Sequence, residues 1–281
     1  MKMVTHHKII IGDSRNMREV PHESVHLIVT SPPYFNVKKL GTQEGNLSNV
    51  ENYDLYLNEL KKIWNECVRV LVPQGKICID VMDFPTNEHG FVTLKPLHSD
   101  ITEQIKTYNN MYYFAEIIWL RSPYRRVTGK TGSTGGPMWG SYPYPPTIMT
   151  HNIFEHILVF RKKGRRKMPK NKEESRITIK QLYEFTRPVW TIEGVTNMKK
   201  MGHYAIFPDE LVERLIRMYS FVGDTVLDPF TGTGTTSKVA CSLGRNSIGY
   251  EINKDYLNII KEKLGSRELH TFKDKIEMII R

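Results

Sequence analysis

"VLDPFTGTGTTSKVA" (226–240) decides the fold. An apolar run ends at Asp228, Gly232 and Gly234 follow, and Thr235 and Thr236 lead into a helical stretch. Glycines at such a point let the backbone turn tightly and come close to a ligand. The helix N-terminus beyond them favours a carboxylate or a phosphate. "NSIGYE" (246–251) is the next strand. Its last residue, Glu251, lies about 20 residues past the loop, where a carboxylate suits a ribose diol. Strand, glycine loop, helix and strand together begin a parallel α/β sheet.

Several ligands could use this loop. A P-loop needs Gly-Lys-Ser/Thr, and this loop has no lysine. A nicotinamide site needs GxGxxG directly after an N-terminal strand; here there is only GxG, preceded by Asp228-Pro229-Phe230. S-adenosyl-L-methionine fits better, with its amino-acid end over the loop and its ribose on Glu251. A plain glycine turn is the bland alternative, and Asp-Pro-Phe together with Glu251 weighs against it.

Outward from the loop, the same alternation recurs. "KIII" (8–11), "VHLIV" (25–29), "KICIDV" (76–81), 114–120 and 152–160 read as strands. Residues 53–71 carry Leu57, Leu60, Ile63, Trp64, Cys67, Val68 and Leu71 at helical spacing, with Pro73 and Gly75 as the stop. Helices are also expected over 97–108, 208–220 (opened by Pro208) and 253–265. The pattern predicts an α/β fold with a doubly wound, mostly parallel sheet. Residues 1–120 and 201–281 would form the core, and 121–200 an inserted region.

Charge separates the two parts. The net charge of the 281-residue chain is +10, yet residues 121–180 hold 14 Lys/Arg and only three Asp/Glu. Such a footprint suits a polyanion such as nucleic acid. A solvated basic loop, or contact with an anionic membrane, is the alternative. The run at 161–176 is expected to be a loop. No apolar run approaches the roughly 20 residues of a membrane span. Cys67, Cys78 and Cys241 are far apart, which argues against a disulfide framework or a zinc site and fits a reducing cytoplasm.

A second stretch, "IVTSPPYFN" (28–36), runs an apolar strand straight into two prolines. Neither can donate to a central ladder, so the strand stops abruptly. Ser31 and Tyr34 are left at its tip.

Together, Ser-Pro-Pro-Tyr at a strand tip and Asp-Pro-Phe-x-Gly-x-Gly-Thr resemble the DNA amino-methyltransferases, which modify exocyclic amines. The resemblance reaches from about Ile9 to Leu264, apart from the variable middle. "GDS" (12–14) resembles the family's short Gly-Asp element, and "HYAIFPDELVERLI" (203–216) its segment before the cofactor loop. The catalytic motif precedes the cofactor loop, as in the β group, whose target recognition region lies between the two. What the resemblance implies is an S-adenosyl-L-methionine-dependent enzyme of the restriction–modification type. It would act on double-stranded DNA in a prokaryotic cytoplasm, with a cognate restriction endonuclease as a possible partner.

On that reading Ser31 Oγ and the Pro32 carbonyl accept hydrogen bonds from the amine and localise its lone pair, Pro33 stiffens the turn, and Tyr34 stacks on the base. Phe35 is a second candidate ring. The base must be flipped out of the duplex. Within the family, serine at the first position is associated with cytosine N4, and Asp or Asn with adenine N6. Cytosine N4 is therefore expected, and a cytosine C5 reaction is disfavoured because no cysteine stands at a strand tip.

The resemblance gives Asp13 to the cofactor's adenine and His203 and Phe207 to its methionine end. The expected cofactor set is completed by Asp228, Phe230, Gly232, Gly234, Thr235 and Glu251. Arg121, Arg125, Arg126 and Lys130, with Arg161, Lys162, Lys163, Arg165 and Arg166, are candidates for DNA contact. Adenine N6, an RNA amine or a silent nucleic-acid-binding protein are the competing readings.

Overall fold

The computed structural model describes residues 4–35, 43, 45–88, 91–121, 154–195, 208–265 and 275–281. Arg125, Arg126, Lys130, His203 and Phe207 lie outside the described residues.

The strands are β1 (His6–Ile11), β2 (Val25–Thr30), β3 (Leu71–Val81), β4 (Phe84–Glu88), β5 (Phe91–Lys95), β6 (Met111–Leu120), β7 (Phe154–Lys162), β8 (Val189–Thr191), β9 (Thr225–Asp228), β10 (Asn246–Glu251) and β11 (Lys275–Ile280). The α-helices are α1 (Tyr53–Val70), α2 (Leu97–Lys106), α3 (Ile179–Phe185), α4 (Asp209–Tyr219), α5 (Thr235–Ser242) and α6 (Leu257–Gly265). β4 and β5 form a separate two-stranded ribbon. The other nine strands make one sheet in the order β11-β1-β10-β9-β2-β3-β7-β6-β8. Among these, only β7 runs against its neighbours.

Strand alternation sends side chains to two cores, as a doubly wound sheet requires. Ile28, Ile77 and Ile79 join Leu60, Ile63 and Trp64 of α1 and Ile101 of α2. Leu27, Val29 and Cys78 face the other way, onto Leu211, Leu215 and Ile216 of α4 and Val239 of α5. Ile9 and Ile11 pack on Ile260 and Leu264 of α6. Each fully buried Leu or Ile contributes about 1.5–3 kcal/mol to folding.

Three expectations change. Helix α1 starts at an Asn52 cap but passes into β3 at Leu71, before Pro73 and Gly75. Those two residues fall in a bulge, because the β2–β3 register jumps between Val25 and Leu27. The inserted region also shrinks, since β7 is hydrogen-bonded inside the sheet between β3 and β6. The basic run beyond it is partly ordered, with a 3-10 turn at Lys172–Ser175 and the capping box of α3 at Thr178 and Gln181.

Candidate active site

Parallel strands end together, so β2, β9, β10 and β1 deliver Ser31, Asp228, Glu251 and Asp13 to one edge of the sheet. The order reverses here: β9 leads on to β10 on one side, while its other neighbour, β2, leads on to β3 in the opposite direction. Such a switch point opens a crevice at the strand ends.

Asp228 joins the two motifs. Its carboxylate accepts from the Thr30 hydroxyl (2.7 Å), the Thr236 hydroxyl (2.7 Å) and the Phe230 N–H (3.0 Å). Burial pushes its pKa up to about 6, against the pull of these three bonds. Ser31 follows Thr30 directly, so the tip of β2 is fastened to the strand that carries the glycine loop.

In that loop Gly232 has φ +51° and Gly234 φ +84°, left-handed values that favour glycine. The Thr231 N–H donates to the Tyr250 carbonyl and the Gly234 N–H to that of Thr231, each at 2.8 Å. A Cβ on Gly249 would lie 2.5 Å from Thr231 Oγ1, so this glycine lets the loop rest on β10. Glu251 accepts the Gly232 N–H on Oε2 and the Asn253 N–H on Oε1, both at 2.8 Å. Burial pushes its pKa up to about 7. Each carboxylate oxygen retains capacity for another donor, which matches a ribose diol. A carboxylate with free acceptor capacity beside a tight glycine turn fits S-adenosylmethionine.

Asp13 stands beside them, since the Gly12 N–H donates to the Glu251 carbonyl at 2.8 Å. Its carboxylate is engaged by Arg15, whose guanidinium also pairs with Glu59. Phe230 is half-buried and meets Trp64 edge-on. Sequence reasoning missed Lys263, whose Nζ donates to Thr233 Oγ1 at 2.6 Å. Burial lowers its pKa to about 8. A lysine on an ordinary helix carries no signal of this.

At the other wall, Ser31 and Tyr34 are half-buried and Pro32 is buried. The Tyr56 hydroxyl donates to the Pro33 carbonyl at 2.9 Å, pinning the turn to α1. Phe35 is not available as a second ring. It is buried against Tyr53, Tyr56 and Phe84 at centroid distances of 5.4, 5.6 and 6.0 Å. The Tyr34 hydroxyl donates to Glu155 Oε2 at 2.6 Å, and Arg121 Nη1 lies 3.0 Å from Glu155 Oε1. Burial and the neighbouring Glu155 push the Asp80 carboxyl well above the usual carboxylate range.

The basic cluster sits elsewhere. Val81 pairs with His156 near the site, whereas Lys76 pairs with Arg161 five positions back. That is roughly 17 Å along the sheet. Lys162, expected to contact DNA, is instead buried and donates to the Val68 and Leu71 carbonyls at 2.9 and 2.7 Å. Arg166 is likewise committed, forming a bidentate pair with Asp224. Arg161 and Lys163 stack over Tyr112, and Arg165 is exposed.

Asp83, His98 and His156 bring ligand-type atoms within 4.8 Å of one another. The two imidazoles stack at 4.1 Å with planes 8° apart, so their in-plane lone pairs run parallel and do not converge on an ion. Among the described residues no helix is long and apolar enough to cross a membrane.

Known proteins resemble the chain along most of its length. The chain is 38% identical to the type II methyltransferase M.MjaI of Methanocaldococcus jannaschii, over 95% of this chain and 93% of that protein. It is 29% identical to the DNA adenine methyltransferase YhdJ of Escherichia coli, over 93% and 82%. The structure of TTHA0409, a putative DNA modification methylase from Thermus thermophilus complexed with S-adenosyl-L-methionine, superposes with a TM-score of 0.73. It is 34% identical and covers 96% of this chain and 99% of its own. Residues 25–262 match the DNA methylase family, so the chain belongs to the S-adenosylmethionine-dependent DNA amino-methyltransferases.

Proposed function

We propose that the chain methylates the N4 amine of a cytosine flipped out of duplex DNA. The observation that carries this reading is Ser31 at the tip of β2, tied through Thr30 and Asp228 to the strand bearing the glycine loop. An aromatic amine is a poor nucleophile because its lone pair is delocalised into the ring. The Ser31 hydroxyl and the Pro32 carbonyl accept from its two N–H groups and direct the lone pair. Tyr34 stacks on the base. S-adenosylmethionine supplies an electrophilic methyl when bound. Glu251 and the glycine turn orient it, so that positioning and exclusion of water carry most of the rate.

The part of 121–200 outside the sheet serves as the recognition region, with Arg121, Arg125, Arg126 and Lys130 as candidates for DNA contact. The names of the type II relatives support a role alongside a restriction endonuclease in a prokaryotic cell. Adenine N6 is the second reading, favoured by the similarity to YhdJ. Digesting methylated DNA to nucleosides separates the two: N4-methylcytosine is expected, and N6-methyladenine alone would reject the cytosine assignment. Transfer of a tritiated methyl to RNA but not DNA would reject both.

A further inference from the structure

We propose that Glu155 is a positioning residue that fixes the Tyr34 ring for stacking on the extruded base and ties that ring to the root of the inserted segment. The inference rests on the reading of Ser31–Tyr34 as the base-binding motif and adds a residue that no sequence motif marks.

Three observations converge on Glu155. Its side chain is only 6% exposed, on a strand whose centre is apolar. Its two oxygens are divided between two partners: Oε2 takes the Tyr34 hydroxyl at 2.6 Å, and Oε1 takes Arg121 at 3.0 Å. Arg121 directly precedes the segment 122–153, and Glu155 lies two residues beyond it, so their ion pair closes the neck of that segment. The two ends of that segment are also held by the β6–β7 pairing, whose last register pairs are Trp119 with Glu155 and Leu120 with Phe154.

The physical need for an anchor is direct. A tyrosine ring has two side-chain torsions, and stacking requires the plane of the ring to be set as well as its place. The hydroxyl oxygen lies on the axis of the second torsion, so a hydrogen bond there fixes the first, and because a phenolic O–H prefers the plane of its ring the direction to the acceptor biases the second. Burial also means that an unanchored hydroxyl would be left without a partner, which favours swinging the ring out. Asp80 is buried alongside, and burial together with the neighbouring Glu155 pushes its carboxyl well above the usual carboxylate range.

The test is a double-mutant cycle read as separate kcat and KM values for tritiated methyl transfer to unmethylated duplex DNA. Tyr34→Phe keeps the ring and removes the anchor. It should lower kcat about tenfold with KM for S-adenosylmethionine unchanged, the size expected for a misaligned group. Glu155→Ala should do the same, Glu155→Gln should recover most of the loss because it still accepts the hydroxyl, and Tyr34→Phe/Glu155→Ala should be no slower than Glu155→Ala alone. Wild-type kcat in Tyr34→Phe, or losses that multiply in the double variant, would overturn the proposal. If Glu155→Ala does not fold, Tyr34→Phe alone decides. Tyr34→Ala distinguishes the two levels. Full activity there sinks the stacking reading itself, whereas loss there with an unaffected Tyr34→Phe sinks only the role of Glu155.

Discussion

The Thr30 hydroxyl donates to Asp228 Oδ1 at 2.7 Å across 198 positions of sequence. This bond joins the strand that ends in Ser31 to the strand that opens the glycine loop. It is buried at both ends, with Thr30 0% and Asp228 1% exposed.

Thr30→Val keeps the shape and removes the donor. The buried carboxylate then loses one of three partners, at a cost of about 1.5–3 kcal/mol. Urea unfolding should show that loss, and turnover should fall with it because the tip of β2 is released. Thr30→Ser should restore both. A Thr30→Val protein as stable and as active as wild type would mean that the strand tips are held by other contacts.

Glu251 sets a pH dependence. Its pKa in the folded chain is about 7, raised from the ordinary 4.5 by burial. Between those values the folded chain holds a proton that the unfolded chain has lost, so stability falls as pH rises through this window. Ribose hydroxyls donate to the ionised carboxylate, so affinity for S-adenosylmethionine should move the other way. It should strengthen from about pH 6 to about pH 8, by up to tenfold per unit below the pKa. Titration calorimetry across that range checks this. Glu251→Gln should bind weakly and lose the slope; a slope that persists would assign the titration to another group.

Lys162 should behave as a structural residue. Its side chain is 6% exposed, and the ammonium is held by two carbonyls and lies 3.0 Å from Glu23. Lys162→Met strands those acceptors and should cost about 2 kcal/mol. DNA affinity and its salt slope, measured by fluorescence anisotropy, should stay unchanged. A flatter slope in Lys162→Met would mean that this lysine does contact DNA phosphates.

Which features were legible follows from what kind of signal each one leaves. Asp228, Gly232, Gly234 and Glu251 could be read because a tight turn and a strand-end carboxylate constrain residue types within one short stretch. The α1 stripe could be read because its period is local. β11 and β8 were missed: "VWT" is too short to show a period, "KIEMII" alternates over only four residues, and both are strands through parallel pairing with β6 and β1 respectively. Glu155 was missed for a related reason. One acidic residue in "NIFEHILVF" looks like the exposed side of an edge strand, and only the antiparallel pairing of β7 with β3 turns it toward Tyr34. The basic run misled in the opposite sense, because charge density says nothing about which end of a strand a residue occupies or whether, like Lys162, it faces inward.

Ser31→Ala is the sharpest test of the chemistry. The side chain is small and half-buried, so its loss should change stability by less than about 0.5 kcal/mol. Cofactor affinity should hold, because Glu251 and the glycine loop are on other strands. DNA binding should hold as well, since phosphate contacts dominate it. Turnover should fall about 100- to 1,000-fold, the effect of removing one acceptor or donor aimed at developing charge. Ser31→Asp should retain part of the activity, because a carboxylate also accepts from the amine. Loss of S-adenosylmethionine binding in Ser31→Ala would instead make Ser31 part of the cofactor site, and unchanged turnover would remove it from the mechanism altogether.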